Sequence, residues 1–173
     1  MNTLIIAGSP REGMFSDRIA DISKDITQGK LVHLRKERIN PCHACDYCKE
    51  INKGECIQKD DMQPLYKDII DADTIVIVSP IYWWQVTAQT KLFIDRLYAL
   101  DYSILEGKRF VVVLNGGESN DNDKEYKILH DAFSEMASYL KMELKYLGVG
   151  TGSEEDWTNK KDKIKLWLEA NLN

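Results

Sequence analysis

All four cysteines of this 173-residue chain, Cys42, Cys45, Cys48 and Cys56, fall within fifteen positions, in the stretch PCHACDYCKEINKGECIQKDDM. Their spacing is C-x2-C-x2-C-x7-C. Two-residue gaps let consecutive thiolates turn toward one centre, and the longer gap lets the chain return with a fourth. In a reducing compartment such a cluster points to metal binding or redox chemistry rather than to a disulfide framework. One [4Fe–4S] cubane has the stoichiometry for four thiolates. The run differs from C-x2-C-x2-C-x3-C-P, whose last thiolate serves a second cluster, since no second set of cysteines follows here. Zinc also accepts four thiolates, usually from two knuckles across a longer gap. An empty or oxidised site is the third alternative. With four thiols at hand, His43 is not needed as a ligand, and His33 and His130 are assigned structural roles.

Three further stretches could do chemistry. GSPREGMFS, residues 8–16, offers the hydroxyls of Ser9 and Ser16, the guanidinium of Arg11 and the N–H groups of a helix start. Those are the parts of an anion site, with phosphate the obvious occupant. It is neither a P-loop nor a G-x-G-x-x-G turn, and a plain turn with Ser16 as N-cap is the alternative. SPIYWW, residues 79–84, sets Tyr82, Trp83 and Trp84 side by side. Rings so costly to expose should pack on a flat ligand, on a partner subunit or on their own helix. LNGGESND, residues 114–121, carries Gly116 and Gly117, which allow close backbone approach or positive φ at a ligand's edge, with a simple glycine-rich turn as the equal alternative.

These stretches must be held by elements, and the apolar pattern supplies them. Strands are expected at Thr3–Ala7, Lys30–Leu34, Thr74–Ser79, Arg109–Leu114 and Leu144–Gly148. Helices are expected at about Ser16–Thr27, Met62–Asp71, Val86–Leu100, Lys124–Leu140 and Trp157–Asn171. TLIIA, TIVIV and FVVVL are continuously apolar, as strands covered on both faces must be. Five alternations of strand and helix predict an α/β fold with a doubly wound, five-stranded parallel sheet of order 2-1-3-4-5, flavodoxin-like. The chain reads as one domain over 1–173, with residues 35–61 as a cysteine-bearing insertion after the second strand. In such a sheet ligands bind beyond the carboxyl ends of the strands where the order reverses, which is where the three loops fall. The helix after the aromatic run carries Lys91, Asp95 and Arg96, read as a solvated or subunit-facing charged strip.

GSPR followed by Ser16, SPIYW with FIDR downstream, and KDDM at 59–62 resemble the NAD(P)H-dependent FMN reductases of the flavodoxin-like superfamily. The four-cysteine insertion resembles the iron–sulfur flavoproteins within that group. The resemblance implies that Ser9, Arg11, Met14, Phe15 and Ser16 hold the FMN phosphate. It implies further that Pro80, Ile81, Tyr82 and Trp83 border the ring and ribityl chain, and that Asn115, Gly116, Gly117 and Glu118 close the other side. It also implies a [4Fe–4S] cluster on Cys42, Cys45, Cys48 and Cys56, NAD(P)H as co-substrate, and a homo-oligomer, dimer or tetramer. Met14 and Phe15 stand where many relatives carry small or amide residues, and Trp84 where many have glycine.

Composition excludes several classes. A net charge of −5, from 23 basic and 28 acidic residues, leaves no electrostatic footprint for nucleic acid. No apolar run is long enough to span a bilayer, and Met1 leads directly into a strand-like segment, so a cytoplasmic location is expected. Hydride transfer to a flavin needs close approach rather than a nucleophile or a carboxylate pair, so the lack of either is compatible with an oxidoreductase. Its electrons would pass to a small-molecule acceptor or a ferredoxin-like partner. The competing readings are an electron-transfer protein with the same cofactors and a metal-stapled interaction module.

Overall fold

The computed structural model describes residues 2–117 and 124–172. The three continuously apolar runs become the central strands β1 (Thr3–Ala7), β3 (Thr74–Tyr82) and β5 (Arg109–Gly116). β2 (Lys30–His33) flanks β1 and β6 (Glu143–Gly150) flanks β5, giving the all-parallel path β2-β1-β3-β5-β6. Counting these five parallel strands alone, the order is the expected 2-1-3-4-5. A sixth strand, β4 (Gln85–Val86), is an antiparallel addition that the sequence pattern did not reveal.

Strand side chains alternate between two cores, as a two-sided sheet requires. Ile5, Val76, Val78, Val111 and Val113 face α1 (Phe15–Thr27) and α6 (Glu154–Leu172). Leu4, Ile6, Ile77, Phe110 and Val112 belong to the opposite core. That side is covered by α3 (Met62–Asp71), α4 (Ala88–Arg96) and α5 (Lys124–Tyr139). One short helix, α2 (Tyr47–Glu50), lies in the insertion. No described helix is long and apolar enough to cross a membrane. Because β2 and β3 lie on opposite sides of β1, the chain reverses direction across the sheet there. The loop after β1 and the turn after β3 therefore meet at the carboxyl edge, the place where such folds leave a crevice.

Around the third strand the boundaries differ from the sequence reading, for local reasons. The third strand does not stop at Ser79: Pro80 pairs in register with Asn115 of β5, and Tyr82 pairs with Gln85 of β4. Val86 is thereby taken into the hairpin, Thr87 becomes the N-cap of α4 by accepting from the Thr90 N–H, and the helix ends in a 3-10 turn, Leu97–Ala99. The hairpin turn consists of Trp83 and Trp84, with φ of 50° and 59°. Two positive φ values define a type I′ turn, normally Asn-Gly, and bulky residues there are strained by about 1–3 kcal/mol each. The double substitution Trp83→Asn, Trp84→Gly should therefore raise stability to urea by about 1–3 kcal/mol. An unchanged or lower midpoint would show that ring contacts outweigh the turn strain.

Candidate functional site

The loop after β1 is fixed from several sides. Gly8 N–H donates to the Val78 carbonyl at 2.8 Å, and a Cβ on Gly8 would lie 1.9 Å from Thr90 Oγ1. Only glycine fits between the two strand ends. Behind it sits a buried hydroxyl network: Thr87 Oγ1 donates to the Gly8 carbonyl at 2.6 Å, and Thr90 Oγ1 donates to Ser79 Oγ at 3.3 Å. Ser9, itself buried, braces the loop by donating to the Arg11 carbonyl at 2.8 Å and accepting the Arg11 N–H at 3.1 Å. Arg11 is exposed, and among the described residues its guanidinium enters no hydrogen bond or ion pair.

Helix α1 starts one residue earlier than the sequence reading placed it. Met14 takes the N-cap position with extended backbone, and no side chain caps the helix. The first-turn N–H groups receive no side-chain cap from Met14, and an uncapped helix end of this kind suits an anion. Ser16 is not the cap. It lies within the first turn, buried, and donates to Asn115 Oδ1 at 2.5 Å, while Asn115 Nδ2 donates to Thr151 Oγ1 at 3.1 Å. The chain of side chains ties α1 to the carboxyl ends of β5 and β6. Phe15 turns its ring away from the loop and stacks on Trp157 of α6, centroids 5.9 Å apart, with Arg18 over both rings.

On the other side of the crevice, Pro80 is buried, Ile81 half-buried and Tyr82 exposed. Trp83 and Trp84 remain 88% and 55% exposed, so the expected packing of these rings is not met within this chain. Gly116 N–H donates to the Tyr126 hydroxyl at 3.1 Å, and a Cβ on Gly116 would reach within 2.4 Å of that oxygen. Gly117 is exposed with open space around its α-carbon. Glu118 lies outside the described residues. Thr87, Thr90, Tyr126 and Thr151 were missed by sequence reasoning. Of these, the Thr87-x-x-Thr90 pair directly after the strand carried an N-cap signal.

The insertion closes on itself through KDDM. Asp60 Oδ2 accepts the Asn40 N–H at 2.9 Å, and Asp61 Oδ2 accepts the Arg38 N–H at 2.7 Å. Gln63 Nε2 donates to the carbonyls of Cys56 and Gln58 at 2.9 and 2.6 Å. All four cysteines are free thiols and line one cavity with Arg96 and Tyr98 in its wall. Cys48, on α2, is buried, Cys56 half-buried, and Cys42 and Cys45 exposed. Ala44 and Asp46, with φ of 50° and 54°, alternate with the cysteines. Left-handed residues in alternation turn successive N–H groups to one side, a feature of anionic and iron–sulfur sites. Burial raises the Cys48 thiol above its ordinary value of 9.0, against the opposing charge of Lys49. A coordinated cation would reverse that preference by taking the thiolate. Among the described residues no three His, Cys, Asp or Glu side chains converge on a point for one metal ion. Four thiols around one cavity offer the ligand set of a four-thiolate centre.

Arg96 corrects the sequence reading of its helix. Lys91 and Asp95 do form an exposed i,i+4 pair, but Arg96 is buried. It holds Asp60 through Nη1–Oδ2 at 2.6 Å and Nη2–Oδ1 at 3.1 Å, with side chains 1% and 4% exposed. Nη1 also donates to the Asn40 carbonyl at 2.9 Å and Nη2 to Cys56 Sγ at 3.5 Å. Burial opposes ionisation of Asp60, yet Arg96 and the Asn40 and Met62 N–H groups outweigh it and hold its pKa below the ordinary 3.8. The placement has a second consequence. α4 starts beside Gly8 and runs to Arg96, about 13 Å at 1.5 Å per residue. α4 thus joins Gly8, at its start, to Arg96 in the wall of the thiol cavity, at its end.

A family model described as NADPH-dependent FMN reductase matches residues 1–150. An iron–sulfur flavoprotein of Archaeoglobus fulgidus is 36% identical over 120 residues, covering 65% of this chain and 60% of that protein. A second from the same organism is 35% identical over 102 residues, covering 56% and 46%. The chain spans about half the length of the curated relatives it matches. An FMN-dependent NADH-azoreductase from Bacillus anthracis, solved in complex with FMN, superposes with a TM-score of 0.70 at 14% identity over 100% of both chains. That likeness is one of fold.

Proposed function

We propose, because the chain belongs to the NADPH-dependent FMN reductase family, that it is an FMN-dependent oxidoreductase that draws electrons from NAD(P)H, acting as one domain over residues 1–173. The observation that carries the reading is the uncapped start of α1 behind the Gly8–Ser16 loop, at the point where the sheet order reverses. FMN, when bound, supplies a ring that accepts hydride, and an iron–sulfur cluster supplies exchange of single electrons. The chain's residues bind and orient. The first-turn N–H groups of Phe15 and Ser16, with Arg11, would hold the phosphate, while Ser9 and Met14 shape the loop that presents them. Pro80, Ile81, Tyr82 and Trp83 would border the ring from the β3 side, and Asn115, Gly116, Gly117 and Glu118 from the β5 side. No general acid or base is required of them.

Cys42, Cys45, Cys48 and Cys56 would hold a [4Fe–4S] cluster, with Arg96 supplying a buried positive charge at its wall. The iron–sulfur flavoprotein names of the relatives support this assignment. A reducing cytoplasm fits four free thiols. Exposed Trp83, Trp84 and Tyr139 support a homo-oligomer, dimer or tetramer, in which such rings are covered. The acceptor would be a small molecule or a ferredoxin-like partner.

Arg11→Ala is expected to weaken FMN binding by about 1.5–3 kcal/mol, the contribution of a charge-assisted hydrogen bond. Titration of the apoprotein by flavin fluorescence checks this, and an unchanged affinity would remove Arg11 from the site. A second reading, an electron-transfer protein without nicotinamide turnover, is favoured by the exposed apolar groove of Ile94, Leu97, Tyr98, Met136 and Tyr139 beside Cys42, a docking face next to the thiols. Steady-state oxidation of NAD(P)H with a quinone acceptor separates the two.

A further inference from the structure

Asp17 is a buried carboxylate in the first turn of α1, bonded to the loop that precedes the helix. Its Oδ2 accepts the Gly13 N–H at 2.8 Å, and its side chain is 5% exposed. Gly13 has a φ of +69°, and its carbonyl is held from the other side by Arg18 Nε at 3.3 Å. A carboxylate in that position suits the helix dipole and fixes the glycine peptide. It also sets a negative charge against the loop proposed to accept a phosphate, and like charges oppose one another.

The compensation comes from outside the loop. Arg35 Nη1 donates to Asp17 Oδ1 at 2.9 Å, its side chain 13% exposed. Its Nη2 lies 3.6 Å from Glu12 at the loop's rim. His33 Nδ1 stands 3.5 Å from the same Asp17 oxygen. Arg35 belongs to the 3-10 turn Leu34–Lys36, the first turn of the cysteine insertion. A single guanidinium therefore fastens the insertion to the β1 loop and neutralises the buried Asp17 carboxylate bonded to Gly13.

We propose that Arg35 is a positioning residue for the flavin phosphate: by pairing with Asp17 it cancels a charge that would otherwise repel the phosphate, and so sets the preference for FMN over a flavin without phosphate. The proposal rests on the FMN reading above. Its role is electrostatic and acts through Asp17, so it has a signature that lost packing would not produce.

The test is equilibrium titration of the full chain, freed of flavin, with FMN and with riboflavin, followed by flavin fluorescence. Arg35→Gln is expected to weaken FMN binding about tenfold or more, as loss of a charge-assisted pair implies, and to leave riboflavin binding unchanged. Arg35→Lys should recover most of the FMN affinity. The double variant Asp17→Asn, Arg35→Gln should also recover it, since the uncompensated charge is gone. Equal weakening of FMN and riboflavin by Arg35→Gln, or no recovery in the double variant, would overturn the proposal. Wild-type protein that binds FMN, with Arg35→Gln binding it equally well, would overturn this inference alone. Wild-type protein that binds neither flavin would overturn the FMN function and this inference with it.

Discussion

Replacing Arg96 with leucine is expected to cost about 3–5 kcal/mol of stability, the penalty for leaving a buried charge without its partner. Asp60 would then keep its Asn40 N–H but lose both guanidinium bonds in a setting where its side chain is 4% exposed. Asp60→Asn should cost a similar amount from the opposite side, stranding the guanidinium. The loss should concentrate in residues 38–61, because Arg96 also holds the Asn40 carbonyl and Cys56. Hydrogen exchange across that segment, with urea unfolding, measures both effects. A cost below about 1 kcal/mol, the value for an exposed pair, would show that the pair is solvated. The pH dependence has a definite direction. Asp60 is depressed in the folded chain, so its contribution is complete above the ordinary carboxylate value of 3.8 and is lost as pH falls through the lower folded value.

Cys45→Ser is expected to abolish iron binding and leave FMN bound. Cys45 lies on the cavity wall with the other three thiols, and a hydroxyl does not replace a thiolate ligand for iron. The insertion should loosen, since metal binding and local folding are linked. FMN affinity should change by less than about 0.5 kcal/mol, because the Arg35–Asp17 pair and the β1 loop are held by contacts that involve no cysteine. Iron and zinc analysis of anaerobically prepared protein, beside a flavin titration, decides it. Wild-type protein with stoichiometric zinc would contradict the cluster assignment and leave the flavin site intact.

Much of the architecture was legible in the sequence because burial leaves a pattern. TLIIA, TIVIV and FVVVL are apolar on both faces, and that alone places them in the middle of a covered sheet. The glycine–serine loop was legible for the same kind of reason: few residue types tolerate its geometry, and a helix start follows it. What stayed hidden depended on partners distant in sequence. Arg96 looked like its neighbours Lys91 and Asp95, although it falls three residues after Phe93 and one before Leu97, on the buried face of α4. A charge on that face was the available signal. Its partner Asp60, 36 positions away, was not. The hairpin was hidden because Trp-Trp is among the poorer pairs for a type I′ turn, so local preference argued against the turn that formed. The link from Ser16 through Asn115 to Thr151 joins three separate elements, which no single stretch of sequence could show.

The most direct test of the account is anaerobic mixing of the purified, FMN-loaded chain with NADPH and, separately, NADH, followed by visible absorbance. The account predicts about one FMN per chain, and bleaching of the bound flavin by at least one of the two nucleotides without any further protein. A chain that takes up no FMN, or whose bound FMN stays oxidised with both nucleotides, would contradict it.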